Sequence, residues 1–150
     1  MDFRNRIPPP VVTLVFGLLI YCSADLLPSL IFELQNSLAL LFVITGLGVI
    51  AAAIIPFVKL KTTVNPLAPK SATALVADGV FRLSRNPMYL GMLLLIISVS
   101  IYTGAVASVI LLPSFVVYIR VFQILPEEQA MRELFPDAYQ AYCKQVRRWI

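Results

Sequence analysis

The residues able to do chemistry in this chain fall into two groups separated by a long apolar run. The first is Arg82-Leu-Ser-Arg-Asn-Pro-Met-Tyr89; the second is the pair Glu127-Glu128, with Arg120 upstream and Tyr139 and Tyr142 downstream. Asn86-Pro87 reads as a helix start. Asparagine is a favoured N-cap, and proline suits the first helical position because its missing N–H would be unpaired there anyway. The free N–H groups and positive dipole end of such a helix, with Arg82 and Arg85 beside it, suit a carboxylate or another anion, although a membrane helix without a ligand would start equally well this way. Glu127 and Glu128 follow Pro126 and would complement the N-terminus of a further helix. The chain has no histidine, and Cys22, Cys143 and the carboxylates are not at metal-ligand spacing. No metal centre is expected, and both thiols are expected to be unpaired.

The elements that must position these groups are set by hydropathy. At 150 residues the chain allows one domain, 1–150, and 59% hydrophobic residues with a mean hydropathy of +0.86 place it in a membrane. The net charge of +4 comes from basic residues flanking apolar runs, which fits a membrane surface and membrane lipids. No nucleic-acid motif is present. Arg4 and Arg6 precede Pro8-Pro9-Pro10 and a first apolar run. Cys22-Ser23-Ala24 looks like a cleavage point, but Asp25 follows at once and Leu26 to Phe32 stays apolar, so an uncleaved first span is expected. Leu34 to Val58 is uncharged over 25 residues, enough to cross a hydrocarbon core of about 30 Å, and Gly46 and Gly48 within it would allow close helix contact. Lys59 to Arg85, broken by Pro66, Pro69, Ser71, Thr73 and Gly79, reads as a loop. Pro87 to Ile119 is too long for one ordinary span. A turn at Tyr102-Thr103-Gly104 would make it a hairpin whose second arm continues past Arg120 to about Leu125, against one long tilted helix that would put the C-terminal region across the membrane from the loop. Pro126-Glu127-Glu128 would then open a soluble helix and Pro136-Asp137 another, with Tyr139, Tyr142, Val146 and Trp149 on one face beside Lys144, Arg147 and Arg148, which reads as an interfacial anchor or, more sharply, as a cofactor lid. The expected fold is all-α: a polytopic membrane protein of about four transmembrane helices plus short C-terminal interfacial helices. Five Lys or Arg residues against Asp78 in the central loop place that loop and both termini in the cytoplasm.

Thr63-Val-Asn-Pro66, Leu75-Val76, Gly79, Ser84-Arg-Asn-Pro-Met-Tyr-Leu-Gly91, Glu127-Glu128, Leu134-Phe135, Tyr139, Tyr142 and Arg147-Arg148-Trp149 follow one another in a recognisable order. Over about residues 36 to 150 the chain resembles the isoprenylcysteine carboxyl methyltransferase family in its short prokaryotic form, and it is similar to the membrane phospholipid methyltransferases. The resemblance implies S-adenosylmethionine as cofactor and an active site facing the cytoplasm at a prokaryotic plasma membrane. It implies cofactor contacts from Thr73, Ala74, Leu75, Val76, Phe81, Asn86, Pro87, Met88, Tyr89 and Glu127. On this reading the α-helical start at Asn86 takes the methionine carboxylate, Leu75, Phe81 and Tyr89 surround adenine, and Glu127 or Glu128 takes the ammonium. Arg120 and Glu128 are the expected catalytic residues. Three positions depart from the family: Asn86 replaces a histidine, Pro136 replaces a glycine, and Gln123 replaces an arginine for the substrate carboxylate. Arg120, one turn earlier, would substitute for that arginine.

Methyl transfer from a sulfonium is an in-line displacement that needs positioning and exclusion of water more than acid–base groups, which suits a chain without histidine. A carboxylate or thiol acceptor is therefore expected ahead of an amine, on a hydrophobic or lipid-like substrate. Two other classes share the hydropathy: a small non-enzymatic transporter or scaffold, and a membrane reductase using NADPH. The central runs carry no ionisable residue for coupled transport, and no Gly-x-Gly-x-x-Gly follows a strand.

Overall fold

The computed structural model describes residues 7–60 and 71–150. Arg4, Arg6, Lys61, Thr63-Val-Asn-Pro66 and Pro69 lie outside the described residues. Among the described residues the fold is helical, with six α-helices and no strand. Helix α1 runs Pro9–Ser23, with prolines in its first turn, where no amide donor is needed. It does not continue through the apolar residues that follow, as the sequence suggests it would. The chain turns after Ala24, and Leu30 donates its N–H to the Gly104 carbonyl at 2.9 Å, beside an isolated bridge between Ser29 and Ala105. Pro28 interrupts helical hydrogen bonding here.

Helix α2 spans Gln35–Leu60 and α3 spans Pro87–Thr103. Gly104 ends α3 in the left-handed region, φ +64°, and a Cβ there would lie 2.2 Å from the Leu30 carbonyl oxygen. Only glycine meets both demands. The expected hairpin turn is therefore present, and α4, Ser108–Ile119, returns alongside α3. Gln35 Nε2, bonded to the Tyr102 carbonyl at 2.7 Å, ties the start of α2 to the same turn.

The second half of the hairpin departs from expectation. Pro126 does not open a separate helix: α4 passes through one π-helical turn, Arg120–Ile124, straight into α5, Leu125–Leu134. The Leu125 N–H reaches the Arg120 carbonyl across the widened turn. Proline lacks a donor for the next rung, and a π-turn just before it loosens the ladder where that rung is missing. Helix α6, Pro136–Gln145, starts at its proline as expected but stops short of Val146, which is extended at φ −123°, ψ 133°. Tyr139 and Tyr142 are buried, and Trp149 lies beyond the helix, so these residues do not form the single interfacial face expected of them.

The most extensive helix contact is between α2 and α3. It is close because two glycines face each other: a Cβ on Gly91 would fall 2.8 Å from the Gly46 carbonyl oxygen and 2.6 Å from Ile50 Cγ1. Gly48 faces open space and plays no part. Helices α1 and α4 cover another side of α3, with Val12, Ile20, Ile96, Phe115 and Ile119 as their shared core. A second core, Ala53, Val76, Phe81, Tyr139, Tyr142 and Val146, joins the end of α2 to the loop before α3 and to α6. Among the described residues two helices are long and apolar enough to cross a membrane, Gln35–Leu60 and the continuous Ser108–Leu134; α1 and α3, of 15 and 17 residues, are shorter apolar helices.

The glycine contact makes a prediction. Gly91→Ala should destabilise the detergent-purified protein by about 1–3 kcal/mol through overpacking, seen as a lower Tm. Gly48→Ala, with nothing within 4 Å to meet, should leave Tm unchanged or slightly raised. Equal effects at the two sites would contradict the packing described.

Candidate active site

The start of α3 is built differently from the N-capped helix its sequence suggests. Asn86 occupies the cap position, but its side chain makes no capping bond to the first turn. Its Nδ2 instead donates to the Arg148 carbonyl at 2.9 Å, while its own N–H donates to Ser84 Oγ at 3.1 Å. The neighbouring Arg85 N–H donates to the Arg147 carbonyl at 3.0 Å. The C-terminal residues thus cross the start of α3, and competition from these backbone acceptors explains why the asparagine turns away from its helix.

Between α2, the segment before α3, α3 itself, α5 and α6 lies a cavity of about 350 Å³, of a size usual for small-molecule sites. Its walls include Ile50, Ile54 and Phe57 of α2; Ala72, Ala74, Leu75, Val76 and Phe81; Arg85 to Tyr89; Met92; Glu127, Glu128 and Met131; and Tyr139 and Tyr142. Pro9 and Pro10 of α1 complete it. Phe57 and Phe81 meet edge to face at 5.6 Å between centroids. Tyr142 braces the wall from behind, its phenol donating to the Phe81 carbonyl at 2.6 Å.

Two adjacent carboxylates behave differently in this wall. Glu128 accepts Arg148 Nε at 2.9 Å and Nη2 at 2.8 Å, one on each oxygen, and Arg85 Nη2 at 3.1 Å, with Arg132 further out at 3.8 Å. Its charge is fully partnered. Glu127 accepts a hydrogen bond from the Tyr89 phenol, and among the described residues no cation pairs with it. Around them, the Glu128 carboxylate raises the Arg148 pKa above its ordinary value by hydrogen bonding. Burial, reinforced by the nearby Glu128 charge, raises that of Tyr139. Burial also pushes the Tyr142 phenol up to about 12.

Ala74, Leu75, Val76, Phe81, Asn86, Pro87, Met88, Tyr89, Glu127 and Glu128 all come together on this one cavity. Thr73 is exposed and is not part of the lining, and neither is Arg120, whose residue is exposed at the start of the π-turn. Gln123 is almost fully buried, its Nε2 donating to the Ile7 carbonyl at 2.8 Å, so Arg120 and Gln123 do not share one environment. The sequence set Arg85 beside the α3 start and counted Tyr139 and Tyr142 among the chemistry-bearing residues without assigning them cofactor contacts, and it gave no sign of Met92, Met131 or the α1 and α2 wall. Met131 lies four residues after Glu127, a spacing that places both on one helix face. Ile50, Ile54 and Phe57 also share a helical face, but an all-apolar run has no contrast to reveal it.

A family model describing phospholipid methyltransferases matches residues 34–138. The chain belongs to the phospholipid methyltransferase family. That family includes the isoprenylcysteine carboxyl methyltransferase-like proteins, so the resemblance read from the motifs holds. No curated protein and no solved structure matches the chain. The family is one of membrane methyltransferases, and its matched region runs from the start of α2 into α6, taking in both glutamates and the residue 71–89 wall. Residues 139–150 and α1 lie beyond it.

The brace from Tyr142 is testable. Tyr142→Phe leaves the Phe81 carbonyl without its donor and should cost about 1–3 kcal/mol of stability. A phenol whose folded pKa is raised holds its proton more tightly in the folded state. Its contribution is whole below the ordinary value of 10.0 and is lost as pH rises through about 12. The stability of the wild type should therefore fall over that interval more steeply than that of Tyr142→Phe, read as Tm against pH.

Proposed function

We propose that this protein is an integral membrane methyltransferase of one domain that uses S-adenosylmethionine to methylate an acceptor with a hydrophobic or lipid tail. The observation that carries this reading is Glu127, a carboxylate set in a largely apolar cavity with a phenol for company and no cation beside it among the described residues. A buried carboxylate favours a ligand that brings a positive charge. S-adenosylmethionine brings an ammonium and a sulfonium. The residues fit it in other respects: Met88, Met92, Met131, Phe57 and Phe81 offer soft, polarisable walls, and the first turn of α3 has no side-chain cap, leaving amides for a carboxylate.

When bound, the cofactor supplies an electrophilic methyl group on sulfur, which an acceptor oxygen, sulfur or nitrogen takes as the S–CH3 bond breaks. Everything else falls to the chain. Tyr89 holds the Glu127 carboxylate in one orientation, Asn86 and the α3 amides face the opposite charge, and the apolar lining keeps water from the reacting atoms. Pro10 and Ile54 line the cavity and are also exposed, Ile54 by 40%, which supports access by an apolar chain between α1 and α2. Arg120, outside the lining, is assigned to the acceptor's head group at the membrane surface. A carboxylate or thiol acceptor fits better than an amine, because the unpaired carboxylate on the cavity, Glu127, is already assigned to the cofactor's positive charge and no other obvious base lines the cavity among the described residues. An NADPH reductase is disfavoured by the same glutamate, since a dinucleotide would bring phosphates to it.

Calorimetry of the purified protein should show binding of S-adenosylhomocysteine and none of NADPH. Glu127→Gln, which keeps the shape and loses the charge, should weaken S-adenosylmethionine binding by about 1–3 kcal/mol. Methyl transfer should prefer acceptors bearing a long apolar tail over water-soluble analogues of the same head. Equal cofactor affinity in wild type and variant would remove Glu127 from the site.

In the membrane we assign four spans, with α1 and α3 joining the two longer helices, and both termini and the central loop on the cytoplasmic side, supported by the basic residues of that loop. A cysteine placed at Val106, next to the α3–α4 turn, should be labelled only from the outer side once Cys22 and Cys143 are replaced. Labelling from the cytoplasm would reverse the orientation.

A further inference from the structure

The methyl-transfer reading leaves one arrangement unused: the last five residues. They follow α6 as a non-helical strap, and three separate observations anchor it to the cavity wall. The Arg147 carbonyl accepts the Arg85 N–H at 3.0 Å. The Arg148 carbonyl accepts Asn86 Nδ2 at 2.9 Å and Ser84 Oγ at 3.4 Å. The Arg148 guanidinium grips both oxygens of Glu128, which also holds Arg85. Residues 84–86, 128 and 147–148 therefore form a closed ring, although they come from three distant parts of the chain. Val146 at one end of the strap sits in the second core, and Trp149 at the other packs against the first.

Arg148 itself does not line the cavity, yet every side chain its carbonyl and guanidinium hold in that ring, save Ser84, does so: Asn86 directly, Glu128 directly, and Arg85 through Glu128. We propose that the strap 146–150 is part of the cofactor site and that Arg148 is its positioning residue, setting Glu128, Arg85 and Asn86 where the cavity needs them. This rests on the methyl-transfer reading. It also reassigns Glu128. With both oxygens accepting from arginines, that carboxylate positions the wall and does not meet the reacting atoms.

The physics of the ring says what its loss does. Without Arg148, Glu128 keeps the buried Arg85 and the exposed, distant Arg132. A carboxylate left half-partnered in a dry wall draws its remaining cation closer, so Arg85 moves out of its place and the start of α3 follows. The residue 148 carbonyl remains in a side-chain variant, so Asn86 is displaced only as far as the start of α3 shifts away from it. Lysine cannot replace the fork, because one ammonium does not serve two oxygens in the same plane.

The test uses the full chain in nanodiscs, with S-adenosylhomocysteine binding by calorimetry and steady-state kinetics against S-adenosylmethionine and the best tailed acceptor. Arg148→Ala should weaken S-adenosylhomocysteine binding about tenfold or more and raise the KM for S-adenosylmethionine, with the acceptor KM unchanged at saturating cofactor. Arg148→Lys should recover only part of the loss, and the exposed Lys144→Ala should match wild type. A purely structural role would lower Tm and the active fraction while leaving cofactor affinity per folded molecule untouched, and that result overturns the proposal. If Arg148→Ala does not fold, Arg148→Lys decides by the same split: weaker cofactor binding with an unchanged acceptor KM supports the strap, and wild-type affinity overturns it. Failure of the wild type to bind S-adenosylhomocysteine would overturn the methyl-transfer reading and this proposal together, whereas a binding wild type beside an indifferent Arg148→Ala overturns the strap alone.

Discussion

A carboxylate cannot be buried in an apolar wall unless its charge is met, and Glu128 is buried. That requirement gathers the site. Arg85 arrives from the turn before α3, Arg148 from the chain end, and Arg132 from the next turn of α5. Because the arginines are carried on different segments, pairing one side chain brings three pieces of backbone together. The bonds from the Arg85 N–H and the Asn86 side chain to carbonyls of the strap then complete what the charge begins. The ion cluster is less a source of net stability than a geometric constraint, since desolvation consumes much of what the pairing returns.

Two features of the helices allow this gathering. The first is the glycine contact between α2 and α3, which lets α2 come near enough for Ile50, Ile54 and Phe57 to wall one side of the cavity. The second is the π-turn at Arg120–Ile124. By letting α4 continue into α5 past Pro126, it carries Glu127 and Glu128 on one continuous helix anchored in the core by Phe115, Ile119 and Ile124, instead of on a loop. Sites carried by such elements hold their geometry better than sites on mobile segments.

The two neighbouring glutamates show how one dipeptide serves two purposes. Consecutive helical residues point about 100° apart, so one turns toward the arginines and the other toward Tyr89. One charge is spent within the protein; the other is left facing the cavity with only a phenol beside it. Membership of the phospholipid methyltransferase family supports a membrane methyltransferase in general, and a cavity carboxylate with no cation beside it among the described residues is what the proposed cationic methyl donor would need.

The helical class, the membrane setting, the hairpin turn at Gly104 and about half of the cavity lining were legible in the chain. Each rests on a local or compositional rule: an uncharged run of sufficient length, a proline at a first turn, a glycine where φ must be positive, or a motif order shared with a family. Thr73 and Arg120 show the limit of that reading, being close in sequence to cavity residues but outside the lining. What only the tertiary structure decided depends on partners distant in sequence. Asn86 is a good cap by local preference, but the Arg148 carbonyl takes its side chain. Val146 and Trp149 continue a helical face by spacing, but the chain leaves the helix and is held by bonds to residues 84–86. Glu128 reads as a helix-dipole residue or a catalytic one until its arginines are seen. In each case a hydrogen bond or ion pair spanning about sixty residues or fewer along the chain outweighs a local preference worth about 1 kcal/mol, and no periodicity in the sequence records where such a partner will be.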